Sequence, residues 1–493
     1  MWTHRIVTVA RAGSRTRRRR HSALDRSAEA GAAESVDTPA VRFDSWVERT
    51  ALGRATMTTT RTEAIREYVK GALWLLPVLG VGLAFAAGTI LTLVEVPDDS
   101  IFYALAFQGT PDDARTLLIG IAGSVITVMA VMLGLTVVAL QLASTQFSPR
   151  LLRNFLQDRP NQVVLAIFVT TFVYSVGGLF TVGVSQGERV QEYPRLAVSG
   201  ALVLVILSLL ALVYFVHHLA HSIQIDAILK RIEATTLRSI ERGLPPRRPA
   251  PGRDAEPPVW AVAIPAWASG YVQTLHTEKV FDVVTAEDVV LRFEPRVGDH
   301  VVAGHPLAWV WRSSPEQPVP DPARVRPFVD DAVRIGFERT QEQDASLGIR
   351  QLADIASKAL SPAINDPYTA IQAIDRLTVI LSALATRPLG DVVEVDAAGA
   401  VRVIAPGIEF AEYVKLCCAQ IRRFGCKEPA VVRRLLRMLD CAARMCSADP
   451  ARSEAIAAHV QLVLEDAERS IVQPADFDII RSEGKTVMAR LTS

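Results

Sequence analysis

Between Arg115 and Arg150 the chain runs for 34 residues, Thr116 to Pro149, without a formal charge. About 20 apolar residues cross a bilayer core as a helix, so this run is long enough to span and to project beyond it. The run is not uniformly apolar. Gly120, Thr127, Gly134, Gln141 and Ser148 recur every seven positions, and Gly123, Ser124, Ala130, Ser144 and Thr145 fall near the same helical stripe. Such a helix shows one face of Val, Ile, Leu and Met and another of small and polar groups. We take it as the axis of the membrane part.

Three further uncharged blocks have spanning length: Gly71 to Val94, Pro160 to Gly187 and Leu196 to Val216. Four spans are expected, over about 71–94, 116–141, 162–184 and 196–217. Lysine and arginine at the block ends set the orientation. Counted near the block ends from Arg54 to Arg248, thirteen lie before the first block, between the second and third and after the fourth, against only Arg115, Arg189 and Arg195 in the other two connections. Both termini are therefore expected in the cytoplasm. No Asp, Glu, Lys or Arg lies inside a block, which argues against a proton- or sodium-coupled pump.

A hydrophobic content of 50% beside 21% charged residues fits apolar residues concentrated in these blocks. A net charge of +1 argues against a globally basic nucleic-acid binder. The five cysteines (Cys417, Cys418, Cys426, Cys441 and Cys446) include no Cys-x-x-Cys pair and read as reduced thiols on helices. Residues 1–66 are basic and unpatterned, with Arg17 to Arg20 consecutive, and read as a disordered extension. Met57 opens an alternative N-terminus, and no apolar region of a secretory signal precedes residue 71.

Past the spans, residues 223–258 read as a charged helix, Asp226 to Arg242, and a Pro- and Arg-rich linker. Residues 259–312 read as a small β domain with a short helix over Thr277 to Ala286. Val297 to Leu307 resembles the barrel-sandwich hairpin of biotinyl and lipoyl domains, but no matching lysine hairpin is present, so no cofactor is expected. Residues 321–493 read as mainly helical. Helical spacing covers Val329 to Gln341, Ala345 to Leu360 and Pro367 to Ala385, and a hairpin joins Val392–Val395 to Val401–Ile404. Helices over about Glu409 to Arg423, Pro429 to Cys446 and Arg452 to Ile471 complete the pattern. The fold class is thus a membrane α-helical protein with four transmembrane helices and a cytoplasmic α+β domain.

The stripe Gly120, Thr127, Gly134, Gln141, Ser144 and Thr145 has two readings: the lining of a water-filled path in an oligomer, or tight helix packing through small residues. Where the second block leaves the membrane, Pro149, Arg150 and Arg153 form either a headgroup anchor or a collar beneath a pore. His217 and His221 lie one helical turn apart without an acidic or cysteine partner nearby in sequence, and no metal site is expected. In Ala359 to Ala370, Asp366 is placed to cap a helix begun by Pro367. The sharper alternative is a ligand site formed by Asn365, Asp366 and Tyr368 with Asp344 and Arg350. Walker, Gly-x-Ser-x-Gly, His-Glu-x-x-His and dinucleotide motifs are absent, so no enzymatic activity is expected.

Four spans, Gln141 to Arg150, Arg339-Thr-Gln-Glu-Gln-Asp344 and Ala359 to Ala370 together resemble the bacterial membrane-protein family known as domain of unknown function 2254, over roughly Glu67 to Ile471. The resemblance implies an inner-membrane protein with a cytoplasmic C-terminal domain and transfers no catalytic residue. The expected function is a passive, gated pore in a homo-oligomer lined by the second span. The alternative is a membrane-anchored scaffold or sensor whose cytoplasmic domain binds a protein or small molecule.

Overall fold

The computed structural model describes residues 74–93, 106–146, 159–182, 194–222, 224–244, 256–446 and 449–492. The expected N-terminal extension and residues 245–255 of the expected linker lie outside them.

Among the described residues four helices come first: α1 (Leu75–Leu93), α2 (Pro111–Gln146), α3 (Arg159–Thr181) and α4 (Arg195–Ser222). Among the described residues three stretches are long and apolar enough to cross a membrane, Pro111–Gln141, Arg159–Phe180 and Arg195–His221. The apolar stretch of α1, Leu75–Leu91, is shorter. Residues 71–73 and 94, the ends of the first expected span, are outside the described set.

Within the subunit α3, rather than α2, takes the centre. It packs against α1, α2 and α4. Val164, Phe168 and Tyr174 of α3 meet Leu118, Ile121 and Val125 of α2 and Val198, Ala201 and Phe215 of α4 in one apolar cluster. Polar groups of α3 find partners inside this bundle. Thr171 and Ser208 share a hydrogen bond of 2.8 Å, and the Tyr174 hydroxyl donates to the Ala197 carbonyl at 2.7 Å. Gly80 lets α1 approach closely, since a Cβ there would press on Thr170. Small residues and interhelical hydrogen bonds hold helices together where apolar burial gives no preference over lipid.

Past α4, α5 (Ile225–Gly243) leads to the C-terminal part. A β-rich body contains β1 (Val262–Pro265), β2 (Gly270–Leu275), α6 (Glu278–Ala286), β3 (Val290–Phe293), β4 (His300–Val301), β5 (Pro306–Trp311), α7 (Pro322–Ala332) and β6 (Val333–Gly336). A helical body contains α8 (Ala345–Ala359), α9 (Pro367–Ala385), α10 (Phe410–Gly425), α11 (Pro429–Cys446), α12 (Pro450–Ser470) and α13 (Pro474–Thr492), with β7 (Val392–Val395) and β8 (Val401–Ala405) between α9 and α10.

The β7–β8 hairpin leaves the helical body and completes the sheet of the β-rich one. Strand order is β1-β5-β3-β8-β7, with β8 parallel to β3 and the other pairs antiparallel. A second sheet has the order β4-β2-β6. The segment Val297 to Leu307 therefore passes from one sheet to the other, since β4 pairs with β2 while β5 pairs with β1 and β3. The helical expectation over Val329 to Gln341 is corrected: the helix ends at Ala332 and β6 pairs with β2. Val325, Val329 and Val333 keep a four-residue spacing, so helical periodicity runs one residue into the strand. Backbone pairing with distant β2, which no local pattern encodes, decides the outcome.

Proline marks the helix starts. Asp321-Pro322, Asp366-Pro367 and Asp449-Pro450 each place a capping aspartate before a first-turn proline, and each carboxylate accepts a backbone N–H of the first turn. The residue before proline avoids the α region, and an N-cap must be non-helical, so both preferences favour one conformation there. The Pro474 start of α13 carries no capping aspartate, and this helix falls outside the sequence expectation.

α5 is a structural member of the helical body. Leu229, Ile232 and Ile240 enter its core, Glu233 pairs with Arg376 at 3.1 Å, and Asp226 accepts from Gln372 at 2.7 Å. α5 also fits against α8 where a Cβ on Gly348 would collide with Thr236. The last apolar helix is thus coupled through α5 to α8 and α9.

Candidate functional sites

One face of α2 (Ala114, Leu118, Ile121, Val125, Met132) is buried, while Gly120, Thr127, Gly134 and Gln141 are exposed together with Ile119, Ile126, Val131 and Val137. Nothing lies within 4 Å of the position a Cβ would take on Gly120, Gly123 or Gly134. At these three glycines no other described residue packs closely on the stripe. Its hydroxyls turn back on the helix: Ser124 donates to the Gly120 carbonyl at 2.7 Å and Thr127 to that of Gly123 at 2.8 Å. α2 continues through Ser144 and Thr145 to Gln146, while Pro149, Arg150 and Arg153 lie outside the described residues.

The residues named for a C-terminal ligand site do not converge. Asp344 caps the start of α8, and Asn365 and Asp366 follow its end. Fifteen residues of helix separate them, or about 22 Å at 1.5 Å per residue. Arg350 and Tyr368 are exposed. Asn365 takes a positive φ of 49°, and Asp366 caps α9 by accepting from the Thr369 N–H at 3.1 Å and its hydroxyl at 2.6 Å. The Asn-Asp-Pro segment is thus a helix-to-helix turn in which the Asp366 carboxylate caps α9.

Asp344 belongs to a different, buried cluster. One carboxylate oxygen accepts from Arg339 at 2.8 and 2.5 Å; the other accepts from the Ser346 hydroxyl at 2.7 Å and the Leu347 N–H at 3.1 Å. Gly298, at a positive φ of 94°, leaves the space this pair occupies, for a Cβ there would meet both side chains. Nearby, Gln341 donates to Gln351 at 2.6 Å, its carbonyl accepts from Ser239 of α5, and Gln343 accepts from the Leu275 N–H at 2.9 Å. Burial, with the charges of Asp344 and Glu412, pushes the Tyr413 hydroxyl above its ordinary value. The Arg339–Asp344 segment therefore joins three parts at once: the β-rich body, α8 and the helix leaving the membrane part.

The rings of His217 and His221 lie tilted against each other with centroids 4.2 Å apart, and His221 Nδ1 lies 2.8 Å from the His217 carbonyl oxygen. Among the described residues no three His, Cys, Asp or Glu converge to hold a metal. A cavity that sequence reading missed opens between α9, α11 and α13, lined by arginines. Four of these lie on α11, but the fifth, Arg490, is supplied by α13, so sequence spacing alone does not gather them.

Among the described residues, three membrane-length apolar helices, a buried polar junction and a C-terminal part of helices with mixed sheet define a polytopic membrane protein with a large extramembrane body. The chain belongs to the family described as "Predicted membrane protein (DUF2254)", whose model matches residues 70–441. It is similar to an uncharacterized protein of Mycobacterium bovis and to one of Mycobacterium tuberculosis. Each is 43% identical over 429 residues, covering 86% of this chain and 81% of the relative. No solved structure matches the chain. The match ends within α11, so α12 and α13 lie beyond it.

Proposed function

We propose that the protein is a four-span protein of the bacterial inner membrane, with both termini cytoplasmic, that assembles as a homo-oligomer around α2. Its activity is that of a passive pore whose C-terminal part controls opening, without enzymatic chemistry, cofactor or nucleic-acid partner. The four uncharged blocks and the distribution of lysine and arginine support the topology. In this reading α1 completes the fourth span, and the two small sheets form a barrel-sandwich-like body. The observation that carries the pore is the outward face of α2, where Gly120, Thr127, Gly134 and Gln141 are exposed on the subunit while the opposite face is buried against α3. Coupling of α4 to the C-terminal body through α5 supplies a route for gating.

One observation favours the alternative of a membrane-anchored scaffold or sensor. Ser124 and Thr127 return their protons to their own helix, which suits dry packing of α2 against a second copy. Cysteine accessibility separates the two. In a cysteine-free background, Gly120→Cys, Thr127→Cys, Gly134→Cys and Gln141→Cys are probed in native membranes with an impermeant thiol reagent from either side. Labelling of all four, with lipid-facing controls unreactive, is the result expected of a wet path. Reactivity confined to the helix ends means a dry interface and removes the pore.

A further inference from the structure

The cavity between α9, α11 and α13 has a volume of about 530 Å³, within the roughly 300–1,000 Å³ of small-molecule sites. Arg433, Arg434, Arg437 and Arg444 of α11 and Arg490 of α13 line it. Buried Leu436 and Val487 and partly buried Ile371 supply an apolar base.

The carboxylates present answer only part of this charge. Glu483 pairs with Arg433 at 2.6 Å and Asp375 with Arg434 at 2.8 Å. Asp440 is shared between Arg444, at 2.9 Å, and Arg490. Five guanidinium groups thus face three carboxylates. Arg437 is exposed, lines the cavity and has no ion-pair partner among the described residues. Among the described residues the guanidinium groups outnumber their carboxylate partners by two, around a concave apolar base. Guanidinium groups match phosphate oxygens through paired N–H donors.

We propose that this cavity binds a multiply charged phosphate group carried on an apolar body, with Arg437 as its first contact and Arg433 and Arg434 exchanging their carboxylates for phosphate oxygens. Soluble nucleotides and phospholipid headgroups share this chemistry. The site is also placed to be sensed. α9 supplies Ile371 to the cavity lining and Asp375 to Arg434, while Gln372 and Arg376, each one residue on, bond to Asp226 and Glu233 of α5. Binding here does not require α2 to line a pore.

The test is calorimetric titration of the full chain in detergent with inorganic pyrophosphate. Saturable binding is expected, weakened roughly tenfold or more by Arg437→Gln, as for loss of a hydrogen-bonded charge. Lys485→Gln, on α13 outside the cavity lining, leaves it unchanged. Because Arg437 is exposed and has no ion-pair partner among the described residues, its variant keeps the parent melting temperature, which separates lost binding from lost folding. Absence of saturable binding, or equal weakening by Arg437→Gln and Lys485→Gln, overturns the site. Displacement of pyrophosphate by dioctanoyl phosphatidate assigns the group to lipid, and displacement by ADP assigns it to soluble nucleotides. Displacement by neither overturns the apolar half of the proposal.

Discussion

Arg339 donates through Nε and an Nη nitrogen to one oxygen of Asp344, at 2.8 and 2.5 Å, and the other oxygen of that carboxylate caps α8. The Asp344 side chain is 1% exposed and that of Arg339 19%. One carboxylate thereby anchors the segment after β6, starts α8 and fills the space left by Gly298.

Removing one member of a buried ion pair strands the other, at a cost of about 3 kcal/mol or more, whereas losing a helix cap alone costs about 1 kcal/mol. Asp344→Ala is therefore expected to lower the melting temperature of the full chain in detergent much more than Asp366→Ala. Equal shifts for the two variants would show that Arg339 contributes nothing beyond the cap.

Gly348→Ala is expected to destabilise the α5–α8 contact by about 1–3 kcal/mol, the range for overpacking. The added methyl group meets Thr236, whose hydroxyl is held by the Ile232 carbonyl at 2.7 Å. Combining it with Thr236→Ala recovers part of the loss. Proteolysis of the full chain reads the result as earlier cleavage around α5 in the single variant and partial protection in the double one.

Thiol chemistry divides the cysteines. Burial pushes Cys417 well above its ordinary value, Cys418 up to about 12 and Cys446 up to about 11, while Cys426 and Cys441 are half-buried. The thiolate is the reactive form. Iodoacetamide at neutral pH should modify Cys426 and Cys441 in the folded chain, and the other three only after denaturation, as read by peptide mass spectrometry.

Burial, aided by the charges of Arg422 and Lys415, lowers the His459 imidazole below its ordinary value of 6.5, and its Nδ1 is buried without a hydrogen-bond partner. The unfolded chain then binds more protons than the folded one below about pH 6.5. Stability from this group is present above that pH and is lost as the pH falls through the lowered folded value. His459→Gln should therefore lose less melting temperature than the parent between pH 7.5 and pH 5.5, about one unit either side of the titration. Parallel losses would show that His459 titrates normally.

Much of the architecture is legible in local pattern because it is locally determined. Uncharged runs must be helices when lipid is the solvent, and Asp-Pro at 366–367 forces one helix to stop and the next to begin. The family resemblance, carried by Gln141 to Arg150, Arg339 to Asp344 and Ala359 to Ala370, agrees with the family match. The α2 stripe was visible for the same reason: a seven-residue spacing is a property of one helix.

What only tertiary structure decided involves residues far apart in the chain. The central place of α3, the strand identity of Val333 to Gly336 beside β2, and the transfer of the β7–β8 hairpin into the other body's sheet depend on pairings between distant segments. So does the gathering of Arg490 with the arginines of α11. The sequence by itself determined most of the helices and their apolar faces, because backbone periodicity and capping act within a few residues. The folded chain decided which faces meet, because packing and strand pairing act across hundreds of residues.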